Sequence, residues 1–303
     1  MTTIAPRVIV CADWSKRPDR RRVWLADPEA RVLRRLAGQN WTVSGLTEEA
    51  SRWTGFSLIS FDAPVGVPSS YFAAAKRAMG ADAARTFMDW LPDALDQPQF
   101  FEPVTDASRW MPQQPFFSVP GGTGSLKAFQ ASAEQYGVVL RRRVEEQTQG
   151  NSVFAMNLPG QVAPAAQALW SELVDARRRD LPIAVWPFDG DLGQLASRGM
   201  VVAAEIYPRA AYGTALAASL PTTSRSIAKT RGHVRVEVIH AFEKSEWLRR
   251  HEIELEGRDY ALADDGDFDA LLTAAALLRL TLEGRPLHEC DPDPVAEGGM
   301  LCA

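Results

Sequence analysis

At 303 residues the chain can bury a large core, as one big domain or two small ones. A formal net charge of -5 excludes a protein coated in basic surface for bulk nucleic-acid binding, and no apolar run approaches the length that crosses a membrane. The three cysteines (Cys11, Cys290, Cys302) lack metal-ligand spacing, and their odd number fits a reducing compartment. With no signal-peptide pattern at Met1, the expected location is the cytoplasm.

"RVIVCADWS" opens with the apolar run Val8 to Cys11, which predicts a buried strand ending near Asp13. "RRRVWLADPEARVLRRLAG" predicts two more strands, Val23 to Ala26 and Arg31 to Leu36, joined by a turn at Asp27-Pro28-Glu29. The simplest assembly of these three is antiparallel. "TVSGLTEEASRWTG" predicts a helix capped by Thr47, with Glu48 and Glu49 in the first turn, where the helix dipole favours acids.

In "SLISFDAPVGVP" an apolar strand runs into Asp62 and breaks at once on Ala63-Pro64 and Gly66-Val67-Pro68. Its unbroken hydrophobicity predicts a place at the centre of a sheet. Residues 69–199 change character: helical stretches such as "SYFAAAKRAMGADAARTFMDWL" and "AAQALWSELVDARRRD" alternate with proline- and glycine-rich loops. No flexible linker sets this region off, so it reads as a mainly helical insertion within a single domain spanning 1–303. "MVVAAEIYP" then repeats the earlier grammar, Val201 to Ala204 leading to Glu205 and stopping at Pro208. "DFDALLTAAALLRLTLEG" predicts a helix with Leu272, Ala275, Ala276 and Arg279 on one face, ended by Gly284 and Pro286.

Asp13, Asp62 and Glu205 thus end apolar strands, and Asp269 opens a helix whose other face is apolar. Singly, such acids also serve as edge, turn or capping residues. Brought together, four carboxylates repel one another unless cations neutralise them, and hard Mg²⁺ or Mn²⁺ ions prefer such oxygen ligands. Two such ions about 4 Å apart activate a water and stabilise the leaving oxygen of a phosphodiester.

The segments "CADWS" around Asp13, "ISFDAPVGVP" around Asp62, "AAEIYPRAAYG" around Glu205, "DFDALLTAAALLRL" around Asp269 and "EGGML" with Glu297 resemble the DUF429 group of predicted nucleases. "PGQVAPAAQALW" also looks like a segment of that family. The resemblance covers most of the chain as islands. It implies a ribonuclease H-like mixed α/β fold, with three antiparallel N-terminal strands followed by parallel strands and flanking helices. It also implies a metal-dependent nuclease acting on DNA or RNA through Asp13, Asp62, Glu205 and Asp269. Asp13 would bridge both ions, Asp62 and Asp269 would complete them, and Glu205 would ligate or orient the water. Asp264, Asp265 and Asp267 crowd the same helix start and stand as substitutes for Asp269.

Smaller signals accompany these. Lys229 and Arg231 are candidate substrate-phosphate contacts, and His233 a candidate proton shuttle, against the alternative of a solvent-facing edge. Gly121, Gly122 and Gly124 precede a helix near Ser125 but lack P-loop spacing. Trp90, Trp110 and Trp170 read as packing residues. The arginine runs 20–22, 141–143 and 177–179 read as solvated helix faces or turn ends. Two other functions stay open: a nucleotide-dependent phosphotransferase of the actin-like kinase type, and a non-catalytic ribonuclease H-like binding scaffold.

Overall fold

Val8–Asp13 form β1, Arg22–Asp27 form β2 and Val32–Arg35 form β3, paired as an antiparallel meander. The computed structural model describes residues 5–38, 40–119, 124–158, 160–216 and 227–302. The β2–β3 turn is tied by the Asp27 carboxylate, which accepts the amides of Glu29 and Ala30 at 2.9 Å each. Arg31 takes a left-handed backbone (φ 57), so β3 starts one residue later than its apolar pattern suggests.

The first helix, α1 (Val43–Ala50), is capped by Thr42 rather than Thr47: Thr42 has extended dihedrals and its hydroxyl accepts the Gly45 amide at 3.0 Å. Thr47 lies inside the helix, buried, and bonds back to the Val43 carbonyl. β4 (Ser57–Phe61) follows. Residues 69–199 hold α2 (Ser69–Met79), α3 (Phe87–Leu95), β5 (Phe117–Ser118), α4 (Gly124–Glu134), α5 (Arg143–Thr148), β6 (Ala155–Met156), α6 (Ala163–Arg178), β7 (Ile183–Val185) and α7 (Leu192–Ser197). The region is mainly helical, with β5 and β6 pairing outside the main sheet; β7, however, belongs to the main sheet. After β8 (Val201–Ile206) come α8 (Pro208–Leu216), α9 (Gly232–Glu243), α10 (Glu246–Arg250), β9 (Glu254–Glu256), α11 (Arg258–Ala263), α12 (Asp265–Leu282), β10 (His288–Asp293) and β11 (Gly298–Cys302).

The nine-stranded mixed sheet has the order β10-β11-β8-β4-β1-β2-β3-β9, with β7 beside the first half of β8. β4 lies between β1 and β8, parallel to both, as its unbroken apolar run requires. Alternation sorts each strand between two faces. Val8, Val10, Ile59, Phe61, Val201 and Ala203 join one core cluster, under α1, α2, α3 and α6. Ile9, Cys11, Leu58, Val202 and Ala204 join the other, under α8 and α12. α12 packs across β1, β2 and β3 and against α8, and its alanines Ala270, Ala274 and Ala275 allow the close approach. Among the described residues no helix is long and apolar enough to cross a membrane.

Candidate metal centre

The β1–β4 register ends with Ala12 opposite Phe61, and the Asp62 amide donates to the Ala12 carbonyl at 3.0 Å. Asp13 and Asp62 are therefore the next pair along, at the carboxyl ends of two adjacent parallel strands. In open α/β sheets this is where ligands bind. Both side chains fall on the α12 face, with Cys11 and Leu58.

α12 brings the third acid. Asp264 caps its N-terminus by accepting the amides of Gly266 and Asp267 at 3.0 Å each. One turn in, Asp269 is almost fully buried, and its oxygen meets those of Asp13 and Asp62 with all three inside 4.8 Å of one another. Gly266 is what lets α12 come this close, since a Cβ there would overlap the Asp13 carboxylate. Asp267 points elsewhere, accepting from Trp24 Nε1 at 3.0 Å and Arg35 Nε at 2.8 Å.

Asp13 and Asp62 have no hydrogen bond or ion pair from their carboxylates among the described residues. Asp269 has both oxygens engaged: the Tyr212 hydroxyl donates to Oδ1 and the Lys229 ammonium to Oδ2. Burial, then the Asp269 charge, pushes Asp13 up to about 7, with Lys229 pulling against them. Burial and then Asp13 push Asp62 well above the usual carboxylate range. Burial raises Asp269 too, opposed by Lys229 and Tyr212. Burial works to lower Lys229 and is the largest single influence on it. The charge and hydrogen bond of Asp269, with the charges of Asp62 and Asp13, together outweigh it and hold the ammonium above its ordinary value.

Glu205 does not join this group. It pairs in register with Phe61, one position short of Asp62, and so lies on the opposite face of the sheet. There it is buried and clamped by Arg142, with Nη1–Oε2 at 2.7 Å and Nη2–Oε1 at 2.8 Å, and it accepts the Val65 amide at 2.8 Å. The expectation of a fourth ligand is corrected by strand parity: the cluster has three carboxylates. Arg142 also corrects the reading of 141–143 as solvated, for it is 1% exposed and binds Glu145 as well. Arg21 is likewise buried, forked onto Glu172 and stacked 3.7 Å over the Trp14 ring. Arg177, Arg178 and Arg179 do form surface pairs, with Asp189, Asp96 and Glu48.

Lys229 is the only one of the three weaker candidates that reaches the acids. Arg231 and His233 are exposed at the start of α9, with no hydrogen bond or ion pair to the carboxylates among the described residues. Glu297 sits apart, accepting from Ser69 and Arg143. The Gly121–Gly122 part of the glycine loop lies outside the described residues; Gly124 starts α4. Trp90, Trp110 and Trp170 are all buried, and Trp170 Nε1 donates to the Pro64 carbonyl at 2.9 Å, bracing the loop after Asp62.

Of the three acids, Asp13 borders a cleft of about 440 Å³ whose lining also includes Ser15, Arg17, Arg20, Arg22 and Asp265. The space that the three acids share with Cys11 and Thr273 is too tight for a water molecule. Burial pushes the Cys11 thiol up to about 12, so it is an inert floor rather than a nucleophile. Tyr212, Thr273 and Arg142 escaped the sequence reading. Only Thr273 carried a signal, four residues after Asp269 and hence on its face of the helix.

An all-carboxylate donor set fits hard divalent ions, and Lys229 offsets only one of the three negative charges. The chain matches no protein-family model, no curated protein and no solved structure.

Proposed function

We propose that the chain is a divalent-metal-dependent hydrolase of nucleic-acid phosphodiester bonds, a nuclease using Mg²⁺ or Mn²⁺. The observation that carries this reading is the convergence of Asp13, Asp62 and Asp269 at the carboxyl end of a central parallel strand pair, with Asp13 at the edge of an open cleft. Three antiparallel strands followed by parallel β4 and β8 support the ribonuclease H-like arrangement implied by the DUF429 resemblance.

Asp13 and Asp62 would hold the ion, with Asp269 completing its shell. A divalent ion so placed promotes attack by water on phosphorus and offsets the charge that grows on the phosphate oxygens. Tyr212 and Lys229 hold Asp269 in place, one on each oxygen. Arg20 lines the cleft, exposed and without an ion pair among the described residues, which suits it to a neighbouring phosphate of the strand. The cleft carries both signs of charge, so binding through it is local, in keeping with the overall net charge of -5.

The test is incubation of the purified chain with Mn²⁺ or Mg²⁺ and labelled single-stranded, duplex, hybrid and branched nucleic acids, beside Asp62→Asn. Metal-dependent cleavage that vanishes in the variant is the expected result. Absence of cleavage on every substrate, with no stabilisation by either ion, overturns the reading.

A further inference from the structure

We propose that the centre takes one divalent ion, and that the Lys229 ammonium supplies the positive charge a second ion would bring. The inference rests on reading the cluster as a metal site for phosphodiester hydrolysis and adds its stoichiometry and its second cation. Three carboxylates and one ammonium leave two negative charges, which one divalent ion balances. The fourth acid that a two-ion site calls for, Glu205, is on the other face of the sheet and already clamped by Arg142.

The distribution of partners says where the ion goes. Asp269 has each oxygen occupied, by Tyr212 and by Lys229. Asp13 and Asp62 have neither a donor nor a cation among the described residues, so their facing oxygens form the open half of the centre. Lys229 is no loose surface lysine. Its carbonyl accepts from Arg235 Nη1 at 2.7 Å, and the same buried guanidinium donates to the carbonyls of Leu262 and Ala263 just before α12. The lysine's turn is thereby fastened to the segment that leads into the helix carrying Asp269, while its side chain stays 27% exposed.

A second observation points to a ligand independently of the acids. Thr273 is 2% exposed, lines the same tight gap as the three carboxylates, and its hydroxyl has no partner among the described residues. Thr281, on the same helix, makes the usual bond to the carbonyl four residues back, at 2.9 Å to Leu277. Thr273 makes none, and water does not fit beside it. A carboxylate that turns one oxygen onto an ion offers its other oxygen to this hydroxyl, which accounts for a donor kept free there.

The experiment is a calorimetric titration of the intact chain with Mn²⁺ alone at pH 8, for the wild type, Lys229→Ala and Lys229→Arg. The wild type is expected to bind one ion. Lys229→Ala, relieved of the repelling ammonium, is expected to bind about ten-fold tighter or to take up a second ion. Lys229→Arg, which keeps the charge, should match the wild type. Two ions in the wild type overturn the inference and leave metal-dependent hydrolysis standing. Unchanged or weaker binding in a folded Lys229→Ala chain overturns the role of the lysine, and should that variant fail to fold, the wild-type stoichiometry decides. No binding at all removes the metal centre, and the proposed function falls with it.

Discussion

Asp13 and Asp62 stand side by side, neither with an ion pair among the described residues, because the Asp62 amide extends the β1–β4 ladder by bonding the Ala12 carbonyl at 3.0 Å. Two neighbouring carboxylates in a partly buried setting oppose folding when both are ionised. The consequence is a pH dependence of definite sign. Asp13 holds its proton up to about 7 in the folded chain, against an ordinary value of 3.8. From about pH 4 to 7 the folded state therefore binds more protons than the unfolded state, and stability falls as pH rises. Thermal melts of the metal-free protein are expected to give a higher Tm at pH 5 than at pH 8. Mn²⁺ should raise Tm far more at pH 8 than at pH 5, and a metal-free Tm that climbs over this range would contradict the coupling.

Replacing Asp62 by Asn keeps the shape and removes one of the repelling charges. In the absence of metal at pH 8 this variant is expected to melt about 1–2 °C above the wild type, the shift that about 1 kcal/mol produces in a chain of this size. It should also lose the stabilisation by Mn²⁺. A binding scaffold that never holds metal shares the first effect and has no metal stabilisation to lose. Scanning calorimetry with and without the ion separates the two.

The other strand-end acid behaves oppositely. Glu205 faces Arg142 in a fully buried fork that also holds the Val65 amide, three residues past Asp62. Removing Arg142 strands two buried carboxylates, Glu205 and Glu145, and loss of one partner of a buried pair costs about 3–5 kcal/mol. Arg142→Met is expected to lower stability in urea by that order, and Glu205→Gln by less, since Arg142 keeps Glu145. Arg142→Met with Glu205→Met is expected to cost less than the two single changes summed. Were Glu205→Gln to stabilise the chain, as Asp62→Asn does, Glu205 would belong with the acidic cluster after all.

These two acids mark where the sequence was legible and where it was not. β1 and β4 were readable because each is an apolar run stopping on an acid, and α12 because acids open a long apolar helix, with Pro64 and Gly284 marking where the chain turns. In β8 the same grammar misleads. Its residues are buried on both faces, so no polar–apolar alternation shows which way Glu205 points, and only pairing with Phe61 settles it. Arg142 looked like one of three surface arginines because its partner is 63 residues away. Lys229 reaches Asp269 across 40 residues, and Tyr212 across 57, distances over which spacing carries no signal. The cap at Thr42 differs for a local reason: Thr47 precedes two acids that suit a first helical turn, but Thr42 carries the extended backbone that a cap needs.

Gly266 offers a test in which helix propensity and site geometry pull in opposite directions. It lies in the first turn of α12, where alanine in place of glycine ordinarily adds up to about 1 kcal/mol to stability. Here the added Cβ would meet the Asp13 carboxylate and also come within 3.1 Å of the Arg22 Cγ. Either α12 lifts off β1 or Asp13 rotates away, and both separate Asp13 from Asp269. Gly266→Ala is therefore expected to lose stability rather than gain it, and to bind Mn²⁺ at least about ten-fold more weakly, since a misplaced ligand forfeits part of its charge interaction with the ion. Melting and calorimetric titration on the same sample read both effects. A variant that is more stable and binds Mn²⁺ unchanged would mean that α12 does not press Asp269 against the β1–β4 pair as closely as the geometry requires.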